Sequence, residues 1–539
     1  MRTHLRKGRT AAAAVAATAM LTLAACGGDN GNGGDADPTP DDTNGAIETP
    51  VTGNGDTPAT STGGGGGVLN LAMNQDPGSF NIVDSGGNAL IITAAIYDTL
   101  VMNGPDAHPV PAAAESWEFS ADGLALTMTL RDDLSWTDGV QVTTTDVVAT
   151  LEMLSSTPGI NQGHFTSVTG FEAIDELTFQ VNFSEPDVTF LWALANAPGV
   201  IGRADMLDAP NAGTNPMGSG PFILNEGETI PGAMWVLDRR PDHWNAAAFD
   251  FDQVRIHMMP DPTAAVNALR SGQIDWTSVP AADVASVTEA GFEITQVLGT
   301  AQTVLRIFDR DGDLIPALGD VRVRQAINYA LDREGFVMAM TGGLGTPTNQ
   351  MILPSTDVYL PELANMYAFD LDRAHELMAE AGFADGFEVT MPSIPWFAHT
   401  DPLITSALGE LGIRINWEAI PPAEVGTAVM SGRFPMAIFV EGDPTLPTHV
   451  FSGNYSPDGV FNPFGSTDPV LTPLVEQFMA TLDTAARAEV GREVNRFVIE
   501  NAWDAPILIN MQMFANREGI VYHGTPVEQL RIELFTVAG

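Results

Sequence analysis

Cysteine occurs once in the 539 residues, at position 26, and lysine occurs once, at position 7. A single cysteine excludes an internal disulfide and any paired-cysteine redox or zinc site. The nine histidines are scattered, and none stands three or four residues from another, so no histidine pair shares a helix face. Motifs that announce chemistry are missing too: there is no GxSxG, GxxxxGK[ST], HExxH, or GxGxxG following a strand. Positive charge is scarce, with 23 basic against 68 acidic residues and a formal net charge of −45. Such a surface repels phosphate backbones and anionic lipid headgroups, which excludes nucleic acid as a partner. Carboxylates are so frequent that pairs of them carry no information about glycosidase chemistry without geometry. Beyond the first 25 residues no apolar run is long enough to span a bilayer.

What is present begins at the N-terminus. Arg2, Arg6, Lys7 and Arg9 form a basic start, Ala11 to Leu23 an apolar stretch, and small residues follow. This is the arrangement of an export signal. Leu23-Ala24-Ala25-Cys26-Gly27 resembles the lipobox of bacterial lipoproteins. The resemblance implies a signal peptide over 1–25, cleavage before Cys26, and acylation of that cysteine. Several acyl chains together would hold the protein stably on a membrane. Residues 27–67 are almost entirely Gly, Asp, Asn, Thr, Pro and Ala. A segment of that composition cannot bury a core and is expected to serve as a disordered tether, with a span of roughly 35 Å.

From Val68 onward the pattern is that of a globular α/β chain. VLNLAM (68–73), the alternating LALTMTL (124–130), MWVLD (234–238) and QVRIHM (253–258) read as strands. Thr143 to Asp146 reads as a capping box opening a helix, and 261–271 as a helix capped by Asp261. Residues 320–334 and 370–381 carry helical apolar spacing, 387–391, 413–419 and 435–440 read as strands, and 472–500 as one long helical stretch. Strand-like segments return over 505–539. Alternation of this kind argues for α/β lobes.

Five stretches resemble, in order and spacing, the extracytoplasmic solute-binding proteins of family 5, the peptide/nickel-type receptors of ABC importers. They are AESWEFSADGLALTMTLRDDLSWTDGVQVTTTDVVATLEML (114–154), PMGSGPFIL with DRRPDHW (216–224, 238–244), VNALRSGQIDW (266–276), DVRVRQAINYALDREGFVMAMTGGLGTPTNQMILP (320–354) and FDLDRAHELMAEAGF (369–383). The resemblance implies a two-lobed periplasmic-binding-protein fold of the large type II class. Lobe I would cover 68–298 and 511–539 with an extra subdomain at about 98–215, and lobe II 299–510. It implies a monomer at the outer face of the cell membrane, delivering an oligopeptide to a permease and ATPase, with no cofactor, no metal and no catalysis. Oligosaccharides, opine-like conjugates and metal chelates stay open as ligands. An anchored hydrolase and a non-transport sensor stay open as other classes of function.

The signature residues identify a fold rather than a ligand. Arg322, Arg324, Trp136, Trp244 and the Gly218–Pro221 turn are expected to pack and dock elements. The ligand expectations rest on the same resemblance. Peptide-binding members pair an aspartate in lobe II with the peptide's α-amino group, and Asp443 in FVEGDPTLPTHVFSGNY (439–455) stands at that position. An uncharged N-terminus would leave such a carboxylate unpaired at a cost of about 2–5 kcal/mol. The aromatic that precedes the aspartate in the family is missing here, and Glu441 lies close by as a second candidate. Asn74 and Gln75, after the first strand, are expected to line the cleft. Trp396 and Phe397, read as loop aromatics, are expected to stack on a ligand. Tyr455 and Phe451 are candidates of the same kind.

Overall fold

A computed structural model of the chain describes residues 66–84, 90–104, 108–159, 161–442, 444–524 and 530–538. Cys26, the signal peptide, nearly all of the tether and Asp443 lie outside the described residues.

Nine strands form one mixed sheet that spans both halves of the molecule. Its order is Met436–Gly442, Glu293–Ile307, Ala505–Asn516, Trp276–Ser278, Val68–Met73, Gln253–Met258, Met234–Arg239 and Phe222–Leu224, with Gly345–Pro347 added on Ala505–Asn516. Val68–Met73 is the parallel centre of the first half, flanked by Gln253–Met258 and Trp276–Ser278. Its alternating side chains explain the position: Leu69 and Leu71 are fully buried among Phe222, Leu237, Val254 and Ile256. The Asp275 carboxylate locks the strand edge, accepting from the Asn70 backbone N–H (2.8 Å) and side-chain amide (3.0 Å) and pairing with Arg517 (3.0 Å).

A four-stranded antiparallel sheet, ordered Ala114–Phe119, Ala125–Leu130, Thr178–Phe183, Val168–Ala173, builds a separate core with the helix Thr144–Ser156. In LALTMTL the residues Leu126, Met128 and Leu130 are buried as the period-two pattern requires, whereas Leu124 remains exposed before the strand. The helix opens with the expected capping box between Thr143 and Asp146. This unit is tied to the first half by the buried Asp98, which accepts from His243 Nε2 and Trp244 Nε1, both at 3.1 Å, with Arg131 stacked over the Trp244 ring. The Gly218–Pro221 turn runs directly over the end of the helix Leu90–Ile96. The Gly220 N–H donates to the Ile96 carbonyl, and a β-carbon at Gly218 would fall 1.7 Å from that same oxygen.

The second half has its own core, built on the parallel pair Glu388–Ser393 and Arg414–Ala419 and on helices including Val321–Tyr329 and Leu371–Glu380. Two expected helices divide. The 320–334 segment breaks after Tyr329, because Asp332 caps a second helix, Arg333–Thr341. The 472–500 stretch is Leu471–Ala480 followed by Thr484–Glu500, with Asp483 capping the second. In both cases a local N-cap hydrogen bond overrides continuous apolar periodicity.

The buried guanidinium groups of the helix signature hold loops. Arg324 donates to the carbonyls of Asn501, Ala502, Arg310, Leu318 and Gly319. Arg333 donates to those of Thr348, Pro506, Asn328 and Tyr367. Burial pushes each of these groups down to about 10. Arg322 is the more exposed one and pairs with Asp320 at 2.6 Å.

Candidate functional site

Two strands carry the chain between the two cores. Val297 and Met513 pack with the first half, whereas Leu305, Ile307, Ala505 and Leu508 pack with the second. Their antiparallel ladder is regular from Glu293↔Asn516 to Leu298↔Met511 and resumes at Gln302↔Ile509. Between those points three residues of one strand, 299–301, face only Asn510 of the other. Such a bulge interrupts the backbone bonds and gives the paired strands a place to bend. Gly299 makes the bulge possible, since a β-carbon there would sit 2.1 Å from the Asn510 carbonyl oxygen. Thr303 Oγ1 donates to Asn510 Oδ1 at 3.2 Å just beyond it.

On the second-lobe side the two strands are clamped by a buried charge cluster. Arg306, fully buried, pairs with Glu441 and with Asp504 (3.2 Å) and donates to Asn454 Oδ1 (2.8 Å). Arg310 pairs with Asp504 as well (3.2 Å) and donates to the Trp503 carbonyl (3.0 Å). Asn454 Nδ2 donates to Glu441 Oε1 at 3.3 Å. Rings cover the cations, Phe461 over Arg306 and Trp503 over Arg310. The two arginines and two carboxylates balance. Desolvation still holds Arg306 below its ordinary range, against the opposing pull of Asp504.

Several residues expected at the ligand are enclosed by protein in and around this cluster. Glu441 is 4 % exposed, and its charge is answered inside the protein by Arg306, so it is not a free carboxylate facing a ligand. Tyr455 is 1 % exposed, packed against Trp503 and Phe451, and burial raises its phenol well above the usual range. Phe451 is fully buried against Phe478. Tyr455 and Phe451 lie on the helix Pro447–Tyr455, and their positions are the inward ones. Phe397 is also internal, 8 % exposed in the second-lobe core, because the loop after Glu388–Ser393 folds back at Phe397 to begin a short turn of helix. Its neighbour Trp396 is half-buried and keeps a partly open ring.

Asn74 is exposed and Gln75 half-buried at the end of Val68–Met73, followed by a turn in which Asp76 accepts the Gly78 N–H at 2.8 Å. Thus Glu441 and Tyr455 fall around one buried cluster, Trp396 and Phe397 on another part of the second lobe, and Asn74 and Gln75 on the first. Arg306, Arg310 and Asp504 were not singled out from the sequence. An arginine inside the apolar strand pattern VLRIF was the available signal. Among the described residues no three His, Cys, Asp or Glu side chains converge as a metal site, and no helix is long and apolar enough to cross a membrane.

Residues 108–462 match the family described as Bacterial extracellular solute-binding proteins, family 5 Middle. A putative ABC transporter peptide-binding protein of Brucella ovis is 26 % identical over 370 residues, covering 66 % of this chain and 67 % of its own. Heme-binding protein A of Haemophilus influenzae is 25 % identical over 378 residues, covering 62 % of this chain and 67 % of its own. Among solved structures, HbpA2 of Haemophilus parasuis superposes with a TM-score of 0.78 at 20 % identity, covering 88 % of this chain and all of its own. AgaA of A. tumefaciens R10, in complex with agropinic acid, gives 0.68 at 25 % identity, covering 88 % of this chain and 99 % of its own. The two-lobed α/β fold with its crossing strands agrees with these neighbours. The chain belongs to family 5 of the bacterial extracellular solute-binding proteins.

Proposed function

We propose that this protein is the extracytoplasmic solute receptor of an ABC importer, that oligopeptides are its ligands, and that it makes and breaks no bond. The observation that carries the reading is the pair of crossing strands with a bulge at 299–301, anchored rigidly on the second-lobe side, in a chain of this family. Hinge bending about such strands encloses a solute and presents the closed form to a permease. Relatives named as peptide-binding proteins support the ligand class.

In this reading Cys26 is the lipid-bearing residue, and the protein works as a monomer on the outer face of the membrane. Lobe I covers 68–298 and 511–539, and lobe II 299–510. Asn74 and Gln75 contact ligand from the first lobe, the open face of Trp396 stacks on it from the second, and Asp443 pairs with a free α-amino group.

The test is a thermal-shift panel of peptides, their N-acetylated forms, heme, an opine conjugate, oligosaccharides and metal chelates, since ligands bound only by the folded state raise the melting temperature. A shift with peptides that disappears on N-acetylation, and falls well over tenfold in affinity in Asp443→Asn, is the expected result. A shift with other solutes alone would keep the receptor and discard the amine pairing.

A further inference from the structure

Besides the crossing strands, the two halves touch through side chains of the four-stranded unit. Its short helix Thr189–Ala193 is held by Phe190, Leu191 and Ala193 in the core. The preceding Asp187 carboxylate accepts from Ser167 Oγ (2.6 Å), Thr189 Oγ1 (2.6 Å) and the N–H groups of Thr189 (2.9 Å) and Phe190 (3.2 Å). Trp192 is half-buried on this turn, like Thr189, while the residues between and after them are buried. Facing it is His449, on the second-lobe helix Pro447–Tyr455, whose Val450, Phe451 and Tyr455 are buried. The two rings meet edge to face, with centroids 4.3 Å apart and planes at 74°. The His164 ring lies 6.4 Å from Trp192 on the first side of the contact. A second touch lies at Gly123, where a β-carbon would fall 3.0 Å from Pro186 and 3.3 Å from Leu482 of the second half.

We propose that Trp192 and His449 form a latch that holds the two lobes closed, and that protonation of His449 releases it. The Trp192 ring covers one side of the imidazole, which is half-buried. Desolvation holds His449 at about 4; the neighbouring His164 adds in the same direction and Asp187 opposes. Burial lowers His164 as well, again with Asp187 opposing. The helix of His449 carries no other titratable side chain except the buried Tyr455. An imidazolium edge on Trp192 would gain some cation–π attraction, which opposes the desolvation and the His164 charge that lower His449.

The sign follows from linkage. In the open form His449 returns to the ordinary range near ~6.5. The closed form is therefore fully favoured above about pH 6.5 and loses about tenfold per pH unit from there down to about 4. At pH 5 the closed-to-open ratio falls about 30-fold relative to pH 7.5. This depends on the receptor reading only for its consequence, ligand release, and the closure itself can be measured without ligand.

The experiment is small-angle scattering on the purified, ligand-free protein between pH 7.5 and 5, with far-UV circular dichroism confirming the fold at each point. The wild type is expected to be compact at pH 7.5 and to expand as pH falls. Trp192→Ala is expected to be expanded at pH 7.5 already. His449→Phe keeps a ring against Trp192 without a titrating proton and is expected to stay compact to pH 5. A wild-type radius of gyration that does not change, or a His449→Phe protein that expands with the wild-type midpoint, overturns the latch. A failed ligand panel with a working pH expansion would leave the latch standing and remove only the ligand class.

Discussion

Glu441→Gln separates a structural carboxylate from a ligand-binding one. The wild-type cluster holds Arg306 and Arg310 against Glu441 and Asp504, all buried. The substitution preserves shape and leaves an amide oxygen for Arg306, yet it leaves two cations facing one anion in a low-dielectric interior. Breaking a buried pair by removing one partner costs about 3–5 kcal/mol. Arg306→Met has the mirror effect, leaving Arg310 on Asp504 and Glu441 without its cation. In the double variant the charges balance again as Arg310 with Asp504, so most of the loss should be recovered and the coupling between the two sites should exceed about 2 kcal/mol. The assay is urea unfolding followed by tryptophan fluorescence, with Trp503 beside Arg310 as a local reporter. With a slope of about 3 kcal/mol per molar, each single variant should lower the second-lobe midpoint by about 1–2 M. Additive losses, or a Glu441→Gln midpoint within the error of wild type together with weakened peptide binding, would refute the neutralised-cluster account and return Glu441 to the cleft.

Arg333→Met should leave the carbonyls of Thr348, Pro506, Asn328 and Tyr367 short of a donor, at about 1–3 kcal/mol for each one left unsatisfied, and soluble yield and melting temperature should both collapse. Gly299→Ala should force the crossing strands apart at Asn510 and alter the scattering profile at pH 7.5, while far-UV circular dichroism stays near wild type. Gly409→Ala, in the helix Asp401–Glu410 with open space around the glycine, is the opposite control and should stabilise by about 0.5–1 kcal/mol in the same urea assay.

The α/β class, the strands and the caps were legible because they depend on neighbours in sequence. Apolar spacing at two or 3.6 residues selects strand or helix, and Asp261, Asp320 and Thr143 mark starts through bonds to their own next turn. The same local logic failed at Asp332 and Asp483, where a cap inside an apolar pattern divided one expected helix into two. Site residues were harder. Phe397 and Tyr455 look like loop aromatics in sequence, and only the fold-back after Glu388–Ser393 and the inward face of the helix Pro447–Tyr455 bury them. Glu441 looks like a second ligand carboxylate until Arg306, 135 residues away, is beside it.

Sequence by itself determined the family, the alternation of elements, the acidic surface and the scarcity of groups able to do chemistry, since each is carried by composition or by short-range spacing. Tertiary structure alone decided which charges are answered, which rings are open, where the two crossing strands slip out of register, and that Trp192 meets His449. Those depend on contacts between residues far apart in the chain, and an ion pair or a ring contact has no signature in either partner's own neighbourhood.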